Sequence, residues 1–88
     1  MEMALMKLYP QVNQLYKDLQ LLAKSKADEK AALEARERYQ DLLARTREVV
    51  PERDEFASLK DAADDITYTG LLMLVSTLDG VIKVAILP

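Results

Sequence analysis

The sequence predicts an all-α fold: one domain, an antiparallel bundle of three helices with a short apolar C-terminal arm. Three observations carry that expectation. Apolar residues recur at spacings of three and four through most of the 88 residues, which is the signature of a helix with one buried stripe. Only two glycines and three prolines interrupt the chain. The breaks that do occur, near residues 25–28 and at Pro51, divide it into pieces of ordinary helix length.

The first helix is expected over about 3–24. Leu5, Leu8, Val12, Leu15, Leu19 and Leu22 form its stripe, widened by Tyr9 and Tyr16. Pro10 lies inside this run. An interior proline removes one backbone bond and costs about 3 kcal/mol or a kink. The stripe keeps its phase across Pro10, so the reading is one bent helix rather than two pieces.

Ser25 is an N-cap candidate, and Asp28 three residues later would favour the positive end of a second helix over about 26–50. Ala32, Ala35, Tyr39, Leu42, Thr46 and Val49 repeat the spacing. Glu34–Arg38 and Asp41–Arg45 are i,i+4 pairs in the favourable order. Pro51 stops the helix at or before Val50. The short link predicts that helices one and two run antiparallel.

A third helix is expected over about 53–78, with Phe56, Leu59, Ala63 and Ile66 as its stripe. The last nineteen residues, GLLMLVSTLDGVIKVAILP, admit four readings. Glycine just past the last periodic residue is the usual way to end a helix, so the favoured reading stops at Leu78 and leaves 81–87 as an extended arm. A hairpin over 71–87 turning at Asp79-Gly80 is the second choice. An unbroken helix is the third, since Leu71, Leu74, Leu78, Val81 and Ala85 keep the period and Gly80 would cost only about 1 kcal/mol. A membrane span ranks last, because Asp79 and Lys83 would each cost about 2.5–3.5 kcal/mol at the bilayer centre.

Composition excludes several chemistries. The chain has no cysteine and no histidine, so it lacks a thiolate nucleophile, disulfides and the usual base near neutral pH. Ser25, Ser58 and Ser76 have nothing to activate them, and Gly70 and Gly80 stand apart from any phosphate loop. The net charge is −3, with seven acidic and three basic residues after position 50. Arg36, Arg38, Arg45 and Arg47 alternate with Glu34, Glu37, Asp41 and Glu48, as a solvated helix face does. No nucleic-acid partner is expected from that pattern. MEMALMKLYP shows no leader pattern, and the expected location is cytoplasmic.

One carboxylate pattern has the spacing of a metal site. Glu34-x-x-Glu37 and Asp61-x-x-Asp64 resemble the paired motifs of the MazG-type all-α nucleotide pyrophosphohydrolases, with Asp61 where glutamate is usual. The resemblance covers four residues and implies a magnesium site, magnesium being a hard ion that takes oxygen ligands. Helical geometry speaks against it, since Glu34, Glu37 and Asp61, with the adjacent Asp65, would face away from the apolar stripes. No catalytic residue and no cofactor is therefore expected. Tyrosines 9, 16, 39 and 68 with the apolar tail suggest a second alternative, a pocket for a small apolar ligand.

The expected function is a non-catalytic interaction or oligomerisation module. Its partner would be a second copy or another protein. Ile66, Leu71, Leu74, Leu78, Val81, Ile82, Val84 and Ile86 are the expected contact residues, because the tail is apolar on more faces than two neighbouring stripes can cover.

Overall fold

The computed structural model describes residues 2–49 and 59–86. Three helices make up the bundle: α1 (Glu2–Lys26), α2 (Leu33–Val49) and α3 (Tyr68–Ile86). The long dimension of the molecule, 37 Å, matches the length of a 25-residue helix at about 1.5 Å per residue, so α1 is the spine. It runs unbroken through Pro10.

The packing follows the stripes. Leu5, Leu8, Val12, Leu15 and Leu19 of α1 are buried, as are Ala35, Tyr39, Leu42, Leu43 and Thr46 of α2 and Leu71, Val75, Leu78 and Ile82 of α3. Leu22 and Val49 border this core. Arg38 of α2 pairs with Asp18 of α1, and a groove joins Pro10, Gln11 and Gln14 to Asp41 and Leu42. Rising numbers on one helix meet falling numbers on the other, so α1 and α2 are antiparallel. On α3, Thr69 bonds to Ala27 while Lys83 lies over Tyr9. This second helix is antiparallel to α1 as well. Consequently α2 and α3 run the same way, and they touch one another only slightly.

That topology requires a return path. Residues 59–67 supply it as a non-helical strap beside α2. Its start lies at Arg47, near the C-terminal end of α2, and its end reaches Ile66 and Thr67 beside the 27–32 link. There the backbone of the link pairs with the chain entering α3. Ala31 N–H donates to the Ile66 carbonyl at 2.8 Å, and the carbonyls of Glu29 and Ala27 accept from Tyr68 and Thr69 N–H at 3.0 and 3.2 Å. The first N–H groups of a helix have no partner within it; here the link satisfies two of them. Thr67 is the N-cap: its Oγ1 accepts from Gly70 N–H at 3.1 Å.

Several boundaries differ from those expected. Ser25 and Lys26 belong to the last turn of α1, not to a cap, and α2 begins seven residues later than expected, at Leu33. The third helix does not cover 59–66. The stripe of Leu59, Ala63 and Ile66 is real in spacing, but this backbone is non-helical, with a turn at Asp64 and Asp65, and polar side chains from α2 bond to it instead. Its expected start at residue 53, with Phe56, lies outside the described residues. Neither the 81–87 arm nor the 71–87 hairpin is present over the described residues, because α3 continues through Asp79-Gly80 to Ile86. Burial of Leu78 and Ile82 on either side of Gly80 outweighs the roughly 1 kcal/mol helical cost of the glycine.

Candidate functional site

Two regions gather polar side chains. The first is the strap against α2. Arg47 donates to the Leu59 carbonyl at 2.8 Å and to Asp61 Oδ1 at 3.1 Å. Gln40 donates to Asp61 Oδ1 at 3.2 Å and accepts from Ala62 N–H at 2.7 Å. Tyr39, fully buried, donates its hydroxyl to the Lys60 carbonyl. Burial pushes that phenol up to about 12. The hydrogen bond from Gln40, helped by Arg47, holds the Asp61 carboxyl below the usual carboxylate range. Each group satisfies backbone or charge that a helix would otherwise have satisfied, so the region is structural.

The four carboxylates of the MazG-like pattern lie on two elements. Glu34 and Glu37 lie exposed in the first turns of α2, while Asp61 and Asp64 sit on the strap. Asp61 is engaged by Gln40 and Arg47, and Asp64 by Arg36 at 3.6 Å. Among the described residues, no three acidic side chains come together in a way that could hold a metal ion. The four tyrosines are placed differently. Tyr39 and Tyr68 are buried with their hydroxyls committed to Lys60 and to Ala32 N–H, and Tyr9 and Tyr16 pack on the edge of the core. Among the described residues, one shallow groove of about 370 Å³ lies between α1 and α2, and another of about 210 Å³ lies where Leu59 and Lys60 meet Met73, Leu74 and Thr77.

The second polar group lies where α3 meets α1. Asp79 is 7% exposed. Its Oδ2 pairs with Lys83 Nζ at 3.3 Å, one turn further on. Its Oδ1 is buried with no hydrogen-bond partner among the described residues. Lys83 lies 5.8 Å from the Tyr9 ring centroid. Tyr9, then Asp79, raise its ammonium above the usual lysine value.

Comparison with known protein families, curated proteins and solved structures finds no match.

What distinguishes this molecule is the face of α3 turned away from the core. The expected contact residues divide sharply. Leu71, Leu78 and Ile82 are wholly inside the monomer and cannot meet a partner on its surface. Ile66, Leu74, Val81 and Ile86 are half-buried against the core, and Val84 is 63% exposed. The sequence reading omitted Met73, which is 66% exposed, and Gly80, beside which a methyl group would meet nothing within 4 Å. Met73, Thr77, Gly80 and Val84 are all exposed and form one stripe, roughly 160° around the helix from the buried one. The signal that could have found them was the period itself: once α3 is continuous, its second face follows from the spacing.

The outer faces of the other helices carry more charge, although Met3, Met6 and Leu21 of α1 and Leu33 of α2 are exposed apolar residues as well. That of α1 carries Lys7, Lys17 and Lys24, and that of α2 carries Glu34, Glu37, Arg38, Asp41, Arg45 and Glu48. The only charged residues of α3 are Asp79, buried, and Lys83, on the flank beside Tyr9. By length and composition α3 could cross a membrane, with mean hydropathy 1.7, yet its inner face fills a core shared with two highly charged helices.

Proposed function

We propose that this chain is a non-catalytic helical module that self-associates through the outer face of α3. One observation supports the reading above the rest. A helix whose inner face already completes the monomer core presents an outer face with two large exposed apolar residues and no charge. Ser76, Thr77 and Gly80 share this face, so Met73 and Val84 are its apolar contact points. The contact is narrower than the tail as a whole. Met73 and Val84 anchor it, Leu74 and Val81 border it, and the buried leucines hold the helix in place behind it.

Sedimentation velocity over micromolar to millimolar concentration tests this. The expected result is a mass that rises toward a multiple of the monomer in the native chain and stays at the monomer in Val84→Glu, with unchanged helicity. A native chain that remains monomeric throughout overturns the reading. So does a monomer that instead co-sediments with neutral phosphatidylcholine vesicles, since the stripe would then serve a lipid surface.

A further inference from the structure

Independently of that reading, we infer that the last turns of α3 are a latch: residues 81–86 lift from α1 as one unit about a hinge at Gly80, while the rest of the helix stays docked. Three observations at neighbouring positions converge here. Asp79 is 7% exposed, and its Oδ1 has no hydrogen-bond partner among the described residues. Gly80, the next residue, is exposed, and a methyl group added to it would meet nothing within 4 Å. Lys83, one turn on, holds Asp79 Oδ2 at 3.3 Å with a side chain that is itself half-exposed. A buried acceptor without a donor carries a desolvation cost that water would remove. Glycine in a helix interior gives up more backbone freedom than any other residue. Both costs stand while 81–86 is helical and docked, and both are relieved when it lifts.

Anchoring on the two sides of the hinge is unequal. Before it, Tyr68, Leu71, Val75 and Leu78 are buried, the Tyr68 and Thr69 N–H groups bond to the 27–32 link, and Thr67 caps the first turn. Beyond it, Ile82 is wholly buried, Val81, Ala85 and Ile86 only partly, and Lys83 lies over the Tyr9 ring. Glycine is also the common residue on which a helix ends, so Asp79-Gly80 supplies a ready stop when the latch is open. Because α1 and α3 are antiparallel, with Lys83 over Tyr9, residues 81–86 lie against the N-terminal turns of α1. Opening uncovers Leu5, Leu8 and Ile82, which are buried in the closed form. The latch thus sets how much apolar surface this end of the bundle shows, without unfolding the remainder.

Residue-resolved hydrogen exchange on the full chain, under native conditions, tests the hinge. The amides of Lys83, Val84, Ala85 and Ile86 should share one opening, at least about tenfold more populated than the opening that exposes the amides of Val75 and Leu78. Gly80→Ala should slow all four by about fivefold or more, since alanine disfavours leaving the helix at that point. Thr67→Ala removes the cap of the docked part, so the Val75 and Leu78 amides should exchange about fivefold faster, with the four latch amides unchanged. If Gly80→Ala leaves Ala85 and Ile86 as they were, the end frays residue by residue and the latch is overturned. If all four amides accelerate together with Val75 in Thr67→Ala, α3 opens only as a whole, which overturns it equally.

Discussion

The side-chain carbonyl of Gln40 accepts the backbone N–H of Ala62 at 2.7 Å, across 22 residues of sequence. The same amide donates to Asp61. One residue of α2 thus fixes the backbone and the side chain of adjacent strap positions. Gln40→Ala removes both bonds and leaves a part-buried N–H unpaired. The expected loss is about 1–2 kcal/mol, read from urea unfolding at neutral pH. Hydrogen exchange at Ala62 should accelerate more than exchange at Val12 or Val75 in the core.

Asp79 places a carboxylate where the monomer has no use for one. Among the described residues its Oδ1 is buried without a partner, and Lys83 alone offsets the charge. Replacing a buried charged group with a well-packed apolar one is often neutral or stabilising. Asp79→Leu keeps the branch at Cγ and joins the core next to Leu78. It is expected to raise stability by about 1 kcal/mol. Lys83→Ala with Asp79 retained should lower it, because the carboxylate then loses its one partner. Paired denaturant curves decide both signs.

The two glycines of α3 should respond differently to alanine. At Gly80 an added methyl meets open space, so Gly80→Ala should gain up to about 1 kcal/mol from helix propensity. At Gly70 the methyl would sit 2.9 Å from Ile66 Cγ1, beside the Thr67 cap, and that side chain would have to move. Gly70→Ala should gain less, or lose. Melting temperatures measured at low concentration isolate the monomer term.

Two groups at the strap predict opposite pH limits. The folded-state Asp61 carboxyl is depressed, so its contribution is present above the ordinary carboxylate range and is lost as pH falls through its folded value. Asp61→Asn should flatten the acid limb of a stability profile. The Tyr39 phenol is raised to about 12, so its contribution is complete below the usual tyrosine value near 10 and is lost as pH rises from there toward 12. Ultraviolet titration should show one phenol ionising late in the native chain, and Tyr39→Phe should abolish that step.

Much of α1 and α2 could be read from the sequence, because each has one stripe and one charged face. Leu5 through Leu19 and Ala35 through Thr46 were identifiable by spacing alone and are buried as expected. The strap was not legible. Leu59, Ala63 and Ile66 have helical spacing, and only the tertiary bonds from Tyr39, Gln40 and Arg47 show why the backbone is non-helical there. Thr67 was informative but easily misread. As a β-branched residue it suggests strand, whereas its oxygen caps α3. The carbonyls of Glu29 and Ala27 that complete this cap lie some forty residues away, beyond any local pattern. Gly80 was weighed as a terminator because the burial on both its sides was not yet visible. With α3 continuous, three of the expected contact residues, Leu71, Leu78 and Ile82, fall inside the core.

The strap also determines the electrical asymmetry of the molecule. By carrying the chain back along α2, it makes α2 and α3 parallel, so their peptide dipoles add while α1 cancels only one of them. The surplus positive end lies at the 27–32 link, where Asp28, Glu29, Glu34, Asp64 and Asp65 are exposed around the two helix starts.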